Sequence, residues 1–203
     1  MKLGTFCTAM VVTLALFLSH AERACATSIV NNSGLASPAQ TITFSEFVFP
    51  SLTPITDQYS SLGVTFSPGM FYDPQPGFFP TASLGDFDFS VTNNPVSILF
   101  AQDQTGAAFA MLTNPGTSTF EALLSGVPVE SFSAATTTTD PSSFYGFEGI
   151  VFDEITITAG GSNGALLIDN LETSTAVPEP ATLSLLGLGL TGLVAKFARR
   201  RNR

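Results

Sequence analysis

Carboxylates are the side chains with chemical capability in this sequence. Of its 16 Asp and Glu residues, all except Glu22 and Glu179 lie between Thr27 and Val177. That stretch has no Lys, Arg, His or Cys to accompany them. Two kinds of chemistry suit such a set. Hard cations take clustered oxygen ligands, so a structural calcium ion is one candidate cofactor. In a sandwich whose first and last strands adjoin, Glu46 would approach Asp169 and Asn170 and supply its ligands. Glycoside hydrolysis is the other, because it needs only two suitably spaced carboxyl groups. Asp86 and Asp88 would share one strand face, and Asp153 and Glu154 are adjacent. Strand alternation places such residues more simply on a solvated outer face.

The missing residue types exclude more than the present ones suggest. A Ser-His-Asp triad, a Cys-His pair, a zinc site built on His or Cys, and an Arg phosphate clamp all lack a component. A domain this acidic repels phosphates and anionic lipid surfaces, so nucleic acid is not an expected partner. The expectation is a non-enzymatic domain. Its aromatic segment Met70–Phe79 is rich in turn formers, and there Phe71 and Tyr72 could stack on sugar rings while Asp73 and Gln75 hydrogen-bond hydroxyls. The alternative is a loop that folds its rings over one end of the domain. Thr136–Thr139, with serines on either side, reads as a polar or a glycosylated loop.

Periodicity identifies the elements that must position these groups. Ile42 and Phe44, Phe87 to Val91, and Ile155 and Ile157 alternate with polar residues in the pattern of half-buried strands. Further candidate strands are 62–66, 96–101, 107–112, 118–124, 127–132 and 165–172. Turn signals separate them at Asn114-Pro115-Gly116, Asp140-Pro141 and Gly160-Gly161, among others. The expected fold is all-β, an antiparallel β-sandwich over residues 27–177, jelly-roll-like, followed by a single C-terminal transmembrane helix.

Both ends read as targeting segments. Residues 1–26 have a basic start at Lys2, an apolar run from Phe6 to Leu18, and a small-residue cleavage site at Ala24 and Ala26. Cleavage before Thr27 removes both cysteines and the single histidine. At the other end, Pro178-Glu179-Pro180 precedes an uncharged run, 181–195, of roughly 22 Å as a helix. Phe197 and Ala198 extend the apolar length to about 27 Å, close to a bilayer core, as Lys196 snorkels. Arg199, Arg200, Arg201 and Arg203 then hold the end in the cytoplasm, so the acidic domain faces outward.

A proline-bounded tripeptide, a short helix with Gly187, Gly189 and Gly192, and a terminal arginine cluster, in that order, resemble the PEP-CTERM sorting signal of Gram-negative bacteria. The resemblance implies that residues 178–203 are a sorting tail recognised and processed by an exosortase. It also implies an association with exopolysaccharide or biofilm, at the cell surface, outer envelope or extracellular matrix after transit through the inner membrane. The segments 59–66, 147–157 and Ile168-Asp169-Asn170-Leu171 are similar to β-sandwich domains that precede such tails. That likeness implies a lectin-like or carbohydrate-binding-module-like jelly roll, with polysaccharide as the partner and no catalytic motif.

Overall fold

A computed structural model describes residues 27–75, 77–86, 95–161 and 164–175. The signal segment, the sorting tail with its expected membrane helix, and Asp88 lie outside the described residues. Within them there are eleven strands and a single 3-10 turn at Ser60–Leu62. The strands are β1 (Thr27–Asn31), β2 (Gln40–Ile42), β3 (Pro54–Ile55), β4 (Val64–Phe66), β5 (Met70–Asp73), β6 (Ser83–Gly85), β7 (Val96–Thr113), β8 (Gly116–Leu124), β9 (Val127–Thr136), β10 (Phe144–Thr158) and β11 (Leu166–Thr175). Every pairing among them is antiparallel. No helix among the described residues is long and apolar enough to cross a membrane.

Two long strands make one hydrogen-bonded surface into two layers. β7 and β10 pair along most of their length, with register shifts between Glu148 and Glu154. Beyond the shifts, β10 pairs with β8, which pairs with β9. Before them, β10 pairs with β1, while the later half of β7 pairs with β11. Phe120 on β8 sits in register with Ile157, yet its ring stacks on Tyr145 at 5.1 Å. An extended strand from Tyr145 to Ile157 would separate those residues by about 40 Å. The bulged strand therefore bends over, and the two halves face each other across a core.

Aromatic rings fill that core. Phe109, Phe120, Phe147 and Phe152 are fully buried, and Phe132 stacks on Phe120 at 4.8 Å. A second group joins Phe44, Phe47, Phe49, Tyr59 and Phe66 around the Tyr59 ring. Tyr59 donates its buried hydroxyl to the Phe44 carbonyl at 3.0 Å. Phe44 itself adopts φ 56°, which ends the alternation begun in β2 and turns the chain inward.

Buried hydroxyls tie one end of the layers together. Thr136 Oγ1 lies 2.6 Å from Thr113 Oγ1 and 2.7 Å from Ser118 Oγ, which accepts the Gly160 N–H at 3.0 Å. All three side chains are buried. Thr136→Val keeps the shape but leaves two hydroxyls short of a partner. Its expected cost is about 1–2 kcal/mol, measured by urea denaturation, whereas Thr139→Val on the exposed turn should be neutral.

Candidate functional site

The later half of β7 is buried on both faces. Ala107, Phe109 and Met111 enter the main core, while Ala108, Ala110 and Leu112 point the other way. Ile29 and Leu35 cover Ala108, and Phe79 covers Ala110 and Leu112. Phe79 therefore anchors the 77–82 segment on the outer side of the sheet. Its neighbour Phe78 is turned out to solvent, 61% exposed.

Phe78 forms the rim of a cleft of about 200 Å³. Leu112 and Leu167 help to line it, and Asp86, Asn114 and Thr138 bring polar groups to its walls. Asp86 is buried, and its backbone N–H donates to the Leu166 carbonyl at 3.0 Å. An exposed aromatic ring beside a mostly apolar lining is suited to a ligand with an apolar face. Asp86 was singled out in the sequence as part of a carboxylate pair. Phe78 stood only within the aromatic segment, and Asn114 only as a turn residue. Four separate chain segments meet here, and no local pattern signals that.

Phe71, Tyr72, Asp73 and Gln75, the residues expected to hold a glycan, do not line this cleft. Phe71, Tyr72 and Asp73 belong to β5 rather than to a loop. The Tyr72 ring is in the core, edge-on to Phe49 at 5.3 Å, and its hydroxyl donates to the Phe47 carbonyl at 3.1 Å. Burial raises its pKa above the ordinary tyrosine value. A buried ring has no face to offer a sugar. Asp73 Oδ1 accepts the Gln75 N–H at 3.1 Å and so shapes the turn that follows. Phe71 is half-buried opposite Gly85 and Pro54.

The proposed calcium ligands are brought near one another, as β2 pairs with β11. The two carboxylates already accept hydrogen bonds within the fold. Glu46 is exposed, and its Oε1 accepts from the Thr43 N–H and hydroxyl at 2.8 and 3.0 Å. Asp169 is wholly buried, its Oδ2 accepting from Thr81 Oγ1 at 2.9 Å and its Oδ1 from the Asn170 N–H at 2.7 Å. Burial pushes the Asp169 carboxyl up to about 6, with the Glu46 charge adding a smaller push in the same direction. Among the described residues, no three His, Cys, Asp or Glu side chains gather as a metal-holding group.

Both members of the second carboxylate pair hold hydrogen bonds within the fold. Both Asp153 oxygens accept the Ser125 N–H at 3.0 Å, bracing the β8–β9 turn, where Ser125 and Gly126 both have positive φ. Glu154 follows at the register shift, is half-buried, and accepts from the Thr156 hydroxyl at 3.4 Å.

The tail gives the decisive comparison. Residues 176–202 match the model of the PEP-CTERM protein-sorting motif. The chain carries a PEP-CTERM sorting signal. That signal implies recognition by an exosortase and export, with passage through a membrane-anchored state. It covers the tail alone; the β-rich, sandwich-like domain precedes it. No curated protein matches the PEP-CTERM chain. Among solved structures, the CBM22-1–GH10 modules of a Clostridium thermocellum endo-1,4-β-D-xylanase complexed with xylohexaose are similar to it, with 11% identity and a TM-score of 0.37. That match covers 70% of this chain and 29% of the other. The Agl-KA catalytic domain is similar at 12% identity and a TM-score of 0.36, covering 72% of this chain and 31% of that one. The chain thus spans less than a third of either structure's length.

Proposed function

We propose that this is a non-enzymatic, exported cell-surface or extracellular-matrix protein. Its jelly-roll-like sandwich binds a glycan, and an exosortase processes its PEP-CTERM tail. The partner that fits is a neutral polysaccharide of the exopolysaccharide or biofilm layer. The observation that carries the glycan reading is Phe78, an exposed ring held over a cleft with Asp86 and Asn114 in its walls. The non-enzymatic reading is supported by the lack of Lys, Arg, His and Cys between Thr27 and Val177.

Co-sedimentation of the full chain with exopolysaccharide from its native host tests this. Phe78→Ala is expected to weaken retention about tenfold, as loss of one stacking ring should, without lowering the melting temperature. Undiminished retention by the variant would contradict the assignment. Release of new reducing ends, abolished by Asp86→Asn, would instead establish the alternative of a carboxylate-pair hydrolase.

A further inference from the structure

A second cleft, of about 240 Å³, lies where β7 bends between the two layers. Gln104 lines it and is 5% exposed. Its Nε2 donates to the Gln102 carbonyl at 2.8 Å, which fixes the orientation of the amide. Its Oε1 is then the acceptor left over. That oxygen is buried and is the one side-chain polar atom among the described residues found buried without a hydrogen-bond partner. An unpaired buried acceptor is unfavourable, and most such atoms in folded proteins are satisfied by protein, water or ligand. Here the fold supplies no donor.

The rest of the lining narrows what would supply it. Gln40, Thr173 and Thr175 provide further neutral polar groups, while Leu62, Val64 and Phe100 provide an apolar wall. No charged side chain lines the cleft. Calcium favours carboxylate oxygens, and an anion needs a cationic or N–H-rich cradle, so neither suits this lining. A sugar ring suits it, having C–H faces for the apolar wall and hydroxyl donors along its edge.

We infer that this cleft binds one ring of a neutral saccharide, with Gln104 Oε1 accepting a sugar hydroxyl. The site is independent of Phe78. Gln104 pairs with Thr175 at one end of the β7–β11 ladder, and Thr113, in the Phe78 cleft, pairs with Leu166 at the other. Nine residues of strand separate them by roughly 30 Å. Two weak sites at that spacing would hold one polysaccharide chain far more firmly than either alone.

The test is a titration of isotope-labelled full-length protein, kept in a detergent without a sugar headgroup, with D-glucose, D-galactose, D-mannose and N-acetylglucosamine. At least one sugar should give saturable NMR shifts of the Gln104 side-chain amide and the Leu62 methyls. Gln104→Met, which keeps the length and removes the acceptor, should weaken that binding at least tenfold. Phe78→Ala should leave it unchanged, which separates this site from the first. No saturable shift with any of the four sugars would mean that water alone serves the acceptor, and would overturn the inference. Unchanged affinity in Gln104→Met would overturn it as well. If that variant does not fold, cross-relaxation between sugar protons and the Phe100 ring in the unaltered protein decides, and its absence overturns the site.

Discussion

Gly146→Ala is expected to destabilise the domain by about 3 kcal/mol or more, a large share of the 5–15 kcal/mol that holds a domain of this size together. Gly146 lies in mid-strand on β10, between Ile29 of β1 and Ala108 of β7. A methyl group there would stand 2.6 Å from Ala108 Cα and would overlap the Ala107 carbonyl oxygen. Both obstacles are backbone, so no side chain can swing aside. The strands would have to separate where Ile29 and Leu35 close over Ala108. Gly77→Ala is the control, because its added methyl would meet nothing nearer than the Gln75 carbonyl at 3.9 Å. Urea midpoints should show a severe loss for the first and a change within about 0.5 kcal/mol for the second. Equal midpoints would contradict the β10–β7 register.

Stability should fall as pH rises from about 4 to 6, opposite to the usual behaviour of a salt-bridged carboxylate. Asp169 has a folded pKa of about 6, above the ordinary 3.8. Below pH 4 it holds its proton in both the folded and the unfolded chain. Between those values the unfolded chain releases the proton while the folded one retains it, so raising the pH favours unfolding. Above pH 6 both are ionised and the full loss persists. The effect should be on the order of 2–3 kcal/mol, at about 1.4 kcal/mol per pH unit between the two values. Burial raises Glu172 in the same direction, and hydrogen bonds from Ser142 lower Asp140 in the other. Asp169→Asn should remove most of the slope and be the more stable protein at pH 7.5. Thermal melts of both proteins from pH 3.5 to 7.5 check this; parallel curves would refute the assignment to Asp169.

Where the sequence reading of strands succeeded, one face met the core and the other met solvent. Thr156 and Thr158 alternate with Ile155 and Ile157, and β10 follows that alternation. The stretches 96–101 and 107–112 read as two strands because Gln102, Asp103 and Gln104 interrupt the apolar pattern. They are one strand, and the polar interruption is its bend between layers. β1, β3, β5 and β6 carried no usable alternation. β5 looks like a loop in sequence, since its flanking prolines and glycines obscure a four-residue strand whose Met70 and Tyr72 are buried. The clefts were less legible than the fold. Phe78 and Phe79 look alike in sequence, and only the doubly buried β7 determines that one covers the sheet while the other is exposed. Gln104 resembles any polar residue in a loop until the bend of β7 buries it. The sorting motif is legible because its information lies in linear order.

The central proposal is that an acidic sandwich is carried outward between two ends handled by the membrane machinery. Mass spectrometry of the protein isolated from its native host tests that directly. The prediction is a mature chain beginning at Thr27 and lacking the terminal Arg199–Arg203 cluster, recovered from the envelope or the medium. An intact chain from Met1 to Arg203, free in the cytosol, would contradict it.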